Sequence, residues 1–352
     1  MKILLVTDLY PLKEKHKGIP LAIENFALAL KDLGCEISVL RADLILNSIL
    51  RGRKPSKQGW YERNGIKIYN QNFLLPFYLN PKVPKNFDVI VSHMPSGNMC
   101  GAKIKNKFKK PHIAICHSSD IEVLEKYKFY FATALKNALK NADKVGARSY
   151  WIRDKLPFEN VFLAPSGIKK EEITNAPFKE KKLKIICTSS LIKRKNLKEL
   201  ILAMREIKNV PLEIYGSGCE EKKLKKLAQN LNVKFMGQRP RREVLEALEE
   251  AQIFILPSKK ETFGLSYLEA LARGCIVICS KNSGIDGFIQ NNKNGFIIEP
   301  DKENIAKTIK KIISMDKEEL NKISSNAIKL AQELEYYKCA KNYLENIKKI
   351  CK

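Results

Sequence analysis

The 352-residue chain is predicted to be an α/β protein built from two doubly wound, mostly parallel sheets. Three observations carry that reading. Short apolar runs alternate with amphipathic stretches from the first residue onward, the βα rhythm of a parallel sheet covered on both faces. The rhythm lapses over a charged, helix-poor stretch, Lys169 to Lys182, and restarts at Leu183. The length suits two domains of ordinary size, each with a core of its own.

Taken in order, KILLVTD is a first buried strand, because its apolar run meets Thr7 and Asp8 too soon for a signal peptide. A helix around Leu21 to Leu33 follows, then strands at EISVL, DVIVSH, HIAICH and KVGARS. NVFLAPSGI, Asn160 to Ile168, reads as the last strand of the first half. Beyond the linker come the strand KIICTSS, a helix from Asn196 to Ile207, LEIYGSG, a helix from Glu220 to Leu231, and VKFMG. IFIL (Ile253 to Leu256) and IVIC (Ile276 to Cys279) are short buried strands flanking a helical segment, Leu265 to Ala272. Asp316 to Lys352 is expected to be helical throughout, with apolar residues at helical spacing. The domains are expected at 1–168 and 183–335, with 336–352 as a closing helix.

Composition narrows the function. With 44% hydrophobic and 29% charged residues the chain is that of a folded soluble protein, and no apolar run approaches bilayer-spanning length. Nine cysteines, odd in number and without a CxxC pair, read as reduced core residues of a cytoplasmic protein, Cys116, Cys187 and Cys279 among them. The histidines do not cluster with cysteine at metal-ligand spacing. A net charge of +26 admits nucleic acid, an anionic membrane or an acidic small substrate as partner. No nucleic-acid motif accompanies the charge, so nucleic acid is set aside. Two basic clusters stand out: Arg51, Arg53, Lys54 and Lys57, then Lys103, Lys105, Lys107, Lys109 and Lys110. The first lies between the apolar Leu44 to Leu50 and Trp60-Tyr61, which suits a peripheral contact with lipid headgroups as well as it suits a solvated lysine-rich face.

The segment Pro257 to Gly274, PSKKETFGLSYLEALARG, concentrates the chemistry. Glu261 sits in the loop leaving a strand and Glu269 more than a turn into the next helix, around a Phe263-Gly264 turn. In an open α/β sheet that loop opens into the crevice where ligands bind. Amides near Gly264, at a helix N-terminus, suit a phosphate, and the two carboxylates suit hydroxyl groups on either side of it. A nucleoside-diphosphate sugar requires that combination. The motif P-S-x-x-E-x-F-G-x-x-x-x-E-A-x-A-x-G resembles the nucleotide-sugar motif of the family 4 retaining glycosyltransferases. Their fold is GT-B, two Rossmann-like domains facing across a cleft, with a last helix returning to the N-terminal domain, the role that Tyr336 to Ile350 would take.

The resemblance spans nearly the whole chain and implies a role for further residues. Glu269 would take the ribose hydroxyls and Glu261 those of the donor sugar, with Phe263, Gly264 and Leu265 completing the donor site. Lys195 matches the family lysine on the diphosphate. The family arginine position is filled by Ser190, with Arg194 nearby as a candidate substitute. Gly216 in YGSG would pass close to the nucleotide, and Met236 with Gly237 would border the base. Gly18 matches the first of two loop glycines, the second being Ile19. His117 matches a histidine placed against the donor sugar; Ser118 stands where its acidic neighbour is usual, with Asp120 beyond. Pro165 to Ile168 matches a structural turn at the hinge. Ser283 to Gly287 occupies the place of Gly-Gly-x-Pro-Glu, with Gly287 at the glutamate. His117, Lys195 and Glu261 are the implied catalytic residues. The implied reaction transfers a sugar with retention to a hydroxyl acceptor, without metal or cofactor; the basic N-terminal half and the lack of a spanning segment make a lipid-linked glycan or surface polysaccharide intermediate the expected acceptor. No Asp-x-Asp occurs, which disfavours the metal-dependent GT-A type. A nucleotide-sugar epimerase or phosphorylase of the same architecture, or a non-catalytic basic surface-binding protein, are the alternatives.

Overall fold

The computed structural model describes residues 1–12, 18–50, 54–74, 78, 80–84, 86–126, 130–174, 178 and 181–351. The chain forms two compact units: Met1–Arg148, Ile152–Gly167 and Tyr336–Lys352 make unit 1, and Ser149–Trp151 with Ile168–Glu335 make unit 2.

Unit 1 runs β1 (Lys2–Thr7), α1 (Ile19–Asp32), β2 (Glu36–Leu44), α2 (Ile45–Leu50), β3 (Gly59–Arg63), β4 (Ile66–Phe73), β5 (Val89–His93), α3 (Met94–Phe108), β6 (His112–Cys116), α4 (Ser118–Lys126), α5 (Tyr130–Lys140), β7 (Lys144–Ala147), α6 (Tyr150–Asp154, whose first two residues cluster with unit 2) and β8 (Val161–Leu163). The strand order is β3-β4-β2-β1-β5-β6-β7-β8. Every pairing is parallel except β3 with β4. The strands at the centre are buried on both faces, which is why they read as unbroken apolar runs rather than alternating ones. The chain builds outward from β1 to one side and then returns to its other side at β5. The C-terminal ends of β1 and β5 therefore flank the switch point where such sheets bind ligands. Ile3, Leu5, Val39, Val91 and Ile115 from the strands meet Ile23 and Leu30 from α1 in the core.

Unit 2 follows with β9 (Lys182–Thr188), α7 (Leu197–Ala203), β10 (Leu212–Tyr215), α8 (Glu221–Leu227), β11 (Val233–Gly237), α9 (Arg241–Glu250), β12 (Ala251–Leu256), α10 (Leu265–Ala272), β13 (Ile276–Ser280), β14 (Phe296–Ile298), α11 (Lys302–Ser314) and α12 (Lys317–Glu333). Its six strands are all parallel, in the order β11-β10-β9-β12-β13-β14, so the switch point lies between β9 and β12. The last helix, α13 (Tyr336–Ile350), belongs to unit 1. It adds Tyr343, Leu344 and Ile347 to that core. Buried Arg148 donates to the Tyr343 hydroxyl at 2.6 Å and also to Ser166, fixing the helix in place.

Several boundaries differ from the sequence reading for identifiable reasons. The expected helix from Asn196 to Ile207 stops at Ala203 and finishes as a 3-10 turn, Met204–Glu206. The expected helix from Glu220 to Leu231 ends at Leu227, and Asn230 then takes a left-handed conformation, φ +64°. The strand expected over Asn160 to Ile168 is confined to Val161–Leu163, since Pro165 lacks an amide for the ladder. The C-terminal stretch is two helices rather than one. Between them the Leu334 carbonyl accepts from the Ile168 amide at 3.0 Å and Glu335 bridges Ile168, interrupting the helical bonding. The apolar run Leu44 to Leu50 is divided between the end of β2 and α2.

Candidate active site

The loops that leave β9 and β12 meet at the switch point of unit 2. After β9 the chain forms a 3-10 turn, Lys193–Lys195, closed by Asn196 at φ +58°. The Arg194 carbonyl accepts from the Lys259 amide at 3.0 Å and from the Ser258 hydroxyl at 3.3 Å, so the two loops are joined through their backbones. This places Lys195 against Glu261: its ammonium donates directly to Oε2 of the carboxylate, and both side chains are about nine-tenths buried. Ser258 donates to the same oxygen at 3.4 Å, and an Arg194 guanidinium nitrogen stands 3.7 Å from it while donating to the Lys260 carbonyl at 2.7 Å. Arg194 thus faces Glu261 while about half of its side chain stays in solvent. One carboxylate is held by two cations, leaving a local excess of positive charge at the sheet's ligand-binding edge.

The Glu261 backbone is fixed as firmly as its side chain. Its carbonyl accepts from the Trp151 indole at 2.7 Å and from the Gly284 amide at 3.1 Å. Gly264 caps α10 at φ +87°, and a Cβ there would lie 2.5 Å from the Tyr267 ring and 3.0 Å from Glu261 Cγ. Only glycine allows the loop to turn this tightly into the helix. Gly264 and half-buried Leu265 stand at the helix start, where free amides and the dipole favour an anion. The Phe263 ring is turned away from any donor contact, which leaves that residue only its backbone to offer. Its ring is 1% exposed and meets Phe288 edge-on at 5.4 Å, so apolar burial makes it the anchor of the loop.

Glu269 keeps different partners. Its Oε1 accepts from Arg241 at 2.7 Å, and the same guanidinium holds Glu172 through two further bonds. Burial pushes the Glu269 carboxyl above the usual carboxylate range, and Arg241 opposes that shift.

The floor beneath these groups is made of three adjacent loops. Ser189 donates its amide to the Tyr215 carbonyl at 3.0 Å, Leu191 to Ser217 at 2.9 Å, Gly216 to Gly237 at 2.8 Å, and Glu220 to Leu191 at 2.9 Å. The hydrogen bonding of the sheet therefore continues past the strand ends. Gly216 is at φ +131°, where a Cβ would fall 1.8 Å from the Ser189 carbonyl oxygen. Ser190 is exposed on this floor and Met236 half-buried at its edge, beside a cavity of about 410 Å3 lined also by Tyr215 and Arg239.

In unit 1, Gly18 precedes α1 at φ +70°, and among the described residues no atom lies within 4 Å of where a Cβ would point. His117 follows β6 and is 1% exposed. Its Nε2 is hydrogen-bonded to Nδ1 of His93, at the end of β5, across 3.2 Å, and its Nδ1 has no partner among the described residues. The His117 amide donates to Asp120 at 2.8 Å, and Asn98 donates to the other Asp120 oxygen at 2.8 Å. Burial, then Arg148, lower both His93 and His117 well below the usual imidazole value, so both rings are neutral. Burial pushes Asp120 up to about 8 against those hydrogen bonds. His117 is thus enclosed in a buried polar network with His93, Asp120 and Asn98.

Of the basic clusters, Arg51 and Arg53 lie outside the described residues. Lys105 pairs with Asp143 at 2.8 Å, and Lys107 lies over the Phe108 ring. Sequence reasoning missed Trp151, Ser258, Arg241, Glu172 and His93. A histidine closing a strand beside another strand-end histidine was a readable signal for His93, and Ser258 is the serine of the Pro257 to Gly274 motif without a role having been drawn for it; nothing local marks Trp151, Arg241 or Glu172. No group of His, Cys, Asp and Glu suited to a metal occurs among the described residues.

Residues 168–330 match the family model described as glycosyl transferases group 1. An uncharacterized glycosyltransferase of Methanocaldococcus jannaschii is 27% identical, with 96% of this chain and 95% of that protein covered. The putative teichuronic acid biosynthesis glycosyltransferase TuaC of Bacillus subtilis is 26% identical, with 85% and 86% covered. Among solved structures, HepE of Anabaena in complex with UDP superposes with a TM-score of 0.77 at 18% identity, over 99% of this chain and 100% of that one. Sucrose-phosphate synthase of Thermosynechococcus elongatus gives the same score and identity over 99% and 98%. These likenesses assign the GT-B fold. Residues 168–330 thus match the glycosyltransferase group 1 domain, and along nearly its whole length the chain is similar to glycosyltransferases and shares the GT-B fold.

Proposed function

We propose that the chain is a retaining hexosyltransferase that moves a sugar from a nucleoside diphosphate to a hydroxyl of a glycan or lipid-linked acceptor. The observation that supports this most is the convergence of Lys195 and Arg194 on Glu261 at the β9/β12 switch point, next to the start of α10. In this reading the bond between the anomeric carbon and the β-phosphate oxygen breaks, and the negative charge left on the diphosphate falls to Lys195, Arg194 and the Gly264-Leu265 amides. Preorganised positive charge of this kind contributes most to such transition states. Arg194 stands in for the arginine that Ser190 cannot supply. Glu261 accepts from the donor sugar and Glu269 from the ribose. The acceptor, assigned to unit 1, loses its proton to the departing phosphate as its oxygen bonds the anomeric carbon. Paired-carboxylate retention needs two acids flanking one carbon, and Glu261 and Glu269 hold separate partners. With cations of its own at the phosphate site, the reaction is proposed to run without a metal, and EDTA should leave its rate unchanged.

UDP, the ligand of the HepE complex, is the first nucleotide to try, and a teichuronic acid relative supports a surface polysaccharide acceptor. A panel of nucleotide sugars, read by protection against thermal unfolding and by release of nucleoside diphosphate, tests the reading. Conversion of donor without acceptor would indicate an epimerase, and a need for free phosphate a phosphorylase. Protection by no nucleotide would leave the basic surface-binding reading.

The proposal includes a cytoplasmic setting against an anionic membrane. Nine free thiols support a reducing compartment. Pairing of Leu44 with Phe73 brings α2 and Leu74 to one corner of the unit 1 sheet, where Leu46, Ile49 and Leu74 are exposed near Lys54 and Lys57. Co-sedimentation with phosphatidylglycerol vesicles should weaken at least fivefold in Ile49→Glu; unchanged sedimentation would remove this contact.

A further inference from the structure

Arg241 opens α9 immediately after Pro240. One of its terminal nitrogens donates to Glu269 Oε1 at 2.7 Å and to Glu172 Oε2 at 2.9 Å, and the other donates to Glu172 Oε1. Both carboxylates are largely buried, with side chains 15% exposed at Glu172 and 18% at Glu269. Glu172 takes the fork in a bidentate pair, which fixes the plane of the guanidinium and aims it at Glu269. The second Glu269 oxygen, Oε2, has no hydrogen bond among the described residues and is left for a ligand. From these contacts we infer that Arg241 is a positioning residue of the donor site: with Glu172 as its tether, it aims the Glu269 carboxylate and keeps it ionised for a nucleotide's ribose hydroxyls. The inference rests on the ribose role proposed for Glu269.

The surroundings explain why such a residue is needed. A buried carboxyl without a counter-charge protonates at neutral pH, and a protonated carboxyl accepts weaker hydrogen bonds than a carboxylate. The charged groups facing Glu269 are Arg241 from α9, Glu172 from the 3-10 turn Lys170–Glu172, and Arg273 at the end of its own helix. Arg273 is itself engaged with Glu249 at 3.6 Å. Arg241 is the sole cation in direct contact with Glu269 among the described residues.

The test measures UDP binding, or GDP binding where UDP does not bind, by isothermal titration from pH 6 to pH 9. Each variant's dissociation constant is divided by that of the wild type at the same pH, which cancels titration of the nucleotide's own phosphate. Arg241→Gln should weaken binding at least tenfold at pH 6.5 and recover to within about threefold at pH 9, as Glu269 ionises without help. Arg241→Lys should stay near wild type at pH 8 and lose affinity below pH 7. A ratio that is flat with pH, whether near one or far from it, overturns the inference, because a merely structural tie between α9 and Glu172 loses affinity equally at every pH. Should Arg241→Gln fail to fold, the lysine variant alone decides on the same criterion. Glu269→Gln separates the two layers of argument. If it binds nucleotide like the wild type, the ribose role itself fails. If it binds weakly while Arg241→Gln is flat, only the role of Arg241 fails. A wild-type chain that binds neither nucleotide removes both.

Discussion

Lys195 and Glu261 form a buried ion pair at the centre of the proposed donor site, and a double-mutant cycle can measure it. Removing one partner of a fully buried pair costs about 3–5 kcal/mol, because the other charge is stranded. The two losses are unequal here. In Lys195→Ala the carboxylate keeps Arg194 at 3.7 Å and Ser258 at 3.4 Å, so the cost should drop to about 1–2 kcal/mol by that same principle. In Glu261→Ala the Lys195 ammonium, 10% exposed, and the half-exposed Arg194 are left with no counter-charge between them, and about 2–4 kcal/mol is expected. The double variant leaves only Arg194 without its carboxylate, and that half-exposed guanidinium keeps water and the Lys260 carbonyl, so the costs should fail to add by about 1.5–3 kcal/mol. The chain offers a clean readout, since it has two tryptophans. Trp151 donates to the Glu261 carbonyl, and a Trp60→Phe background leaves it as the one indole. Urea unfolding followed by Trp151 fluorescence then reports on unit 2. Coupling below about 0.5 kcal/mol, the ordinary tolerance for independent sites, would refute the claim that these residues act as a pair.

The remaining predictions concern catalysis, backbone and pH. Lys195→Ala and Glu269→Ala should each lower donor-dependent transfer at least about tenfold, near 1.4 kcal/mol; wild-type turnover in both would withdraw the assignment. Gly216→Ala, with its Cβ 1.8 Å from the Ser189 carbonyl, should destabilise unit 2 by about 2 kcal/mol or more and weaken nucleotide binding. Gly18→Ala meets no described atom within 4 Å and should cost only what its glycine-type backbone, φ +70° and ψ −130°, imposes, about 1–3 kcal/mol; a larger loss in urea than for Gly216→Ala would contradict the packing described. For pH, His93, His112 and His117 are neutral when folded, His112 at about 3 and the others well below 6.5. The unfolded chain therefore binds up to three more protons as pH drops below 6.5, and stability is lost in that direction. Asp120 acts oppositely: its folded carboxyl keeps a proton up to about 8, so its contribution is lost as pH rises from about 4 toward that value. The net two protons give a slope of up to about 2.7 kcal/mol per pH unit near pH 5, with a maximum near neutrality. Urea midpoints read by Trp60 in a Trp151→Phe background should show this dome, and Asp120→Asn should flatten its alkaline side. A midpoint constant between pH 5 and 7 would count against the neutral histidines.

Much of the fold was legible because strands such as β1, β5 and β12 are buried on both faces and carry unbroken apolar runs. The antiparallel β3–β4 pair was missed, although Asn64-Gly65, both at positive φ, is the favoured two-residue hairpin turn. Its exposed edge strand alternates weakly, so periodicity gave no cue. At the site, Glu261 and Lys195 share one motif and one loop spacing with a known family. Their mutual contact depends on β9 and β12 being neighbours, which is a property of strand order and not of local sequence. Arg241 and Glu172 were hidden for the same reason: 69 positions separate them in the chain, and only the packing of α9 brings them to Glu269. Phe263 was read as a contact because its neighbours line the site, whereas an aromatic side chain at a tight turn gains more by burial.

The zipped loops after β9, β10 and β11 carry a consequence for how this site can change. Their alignment comes from main-chain amides and carbonyls, with glycine required where two backbones touch. A serine at position 190, or a longer, charged side chain there, would therefore leave the geometry intact. Such a platform tolerates turnover of its decorations, so under the proposed function preference for one activated monosaccharide over another could drift by single replacements while the main-chain frame stays put.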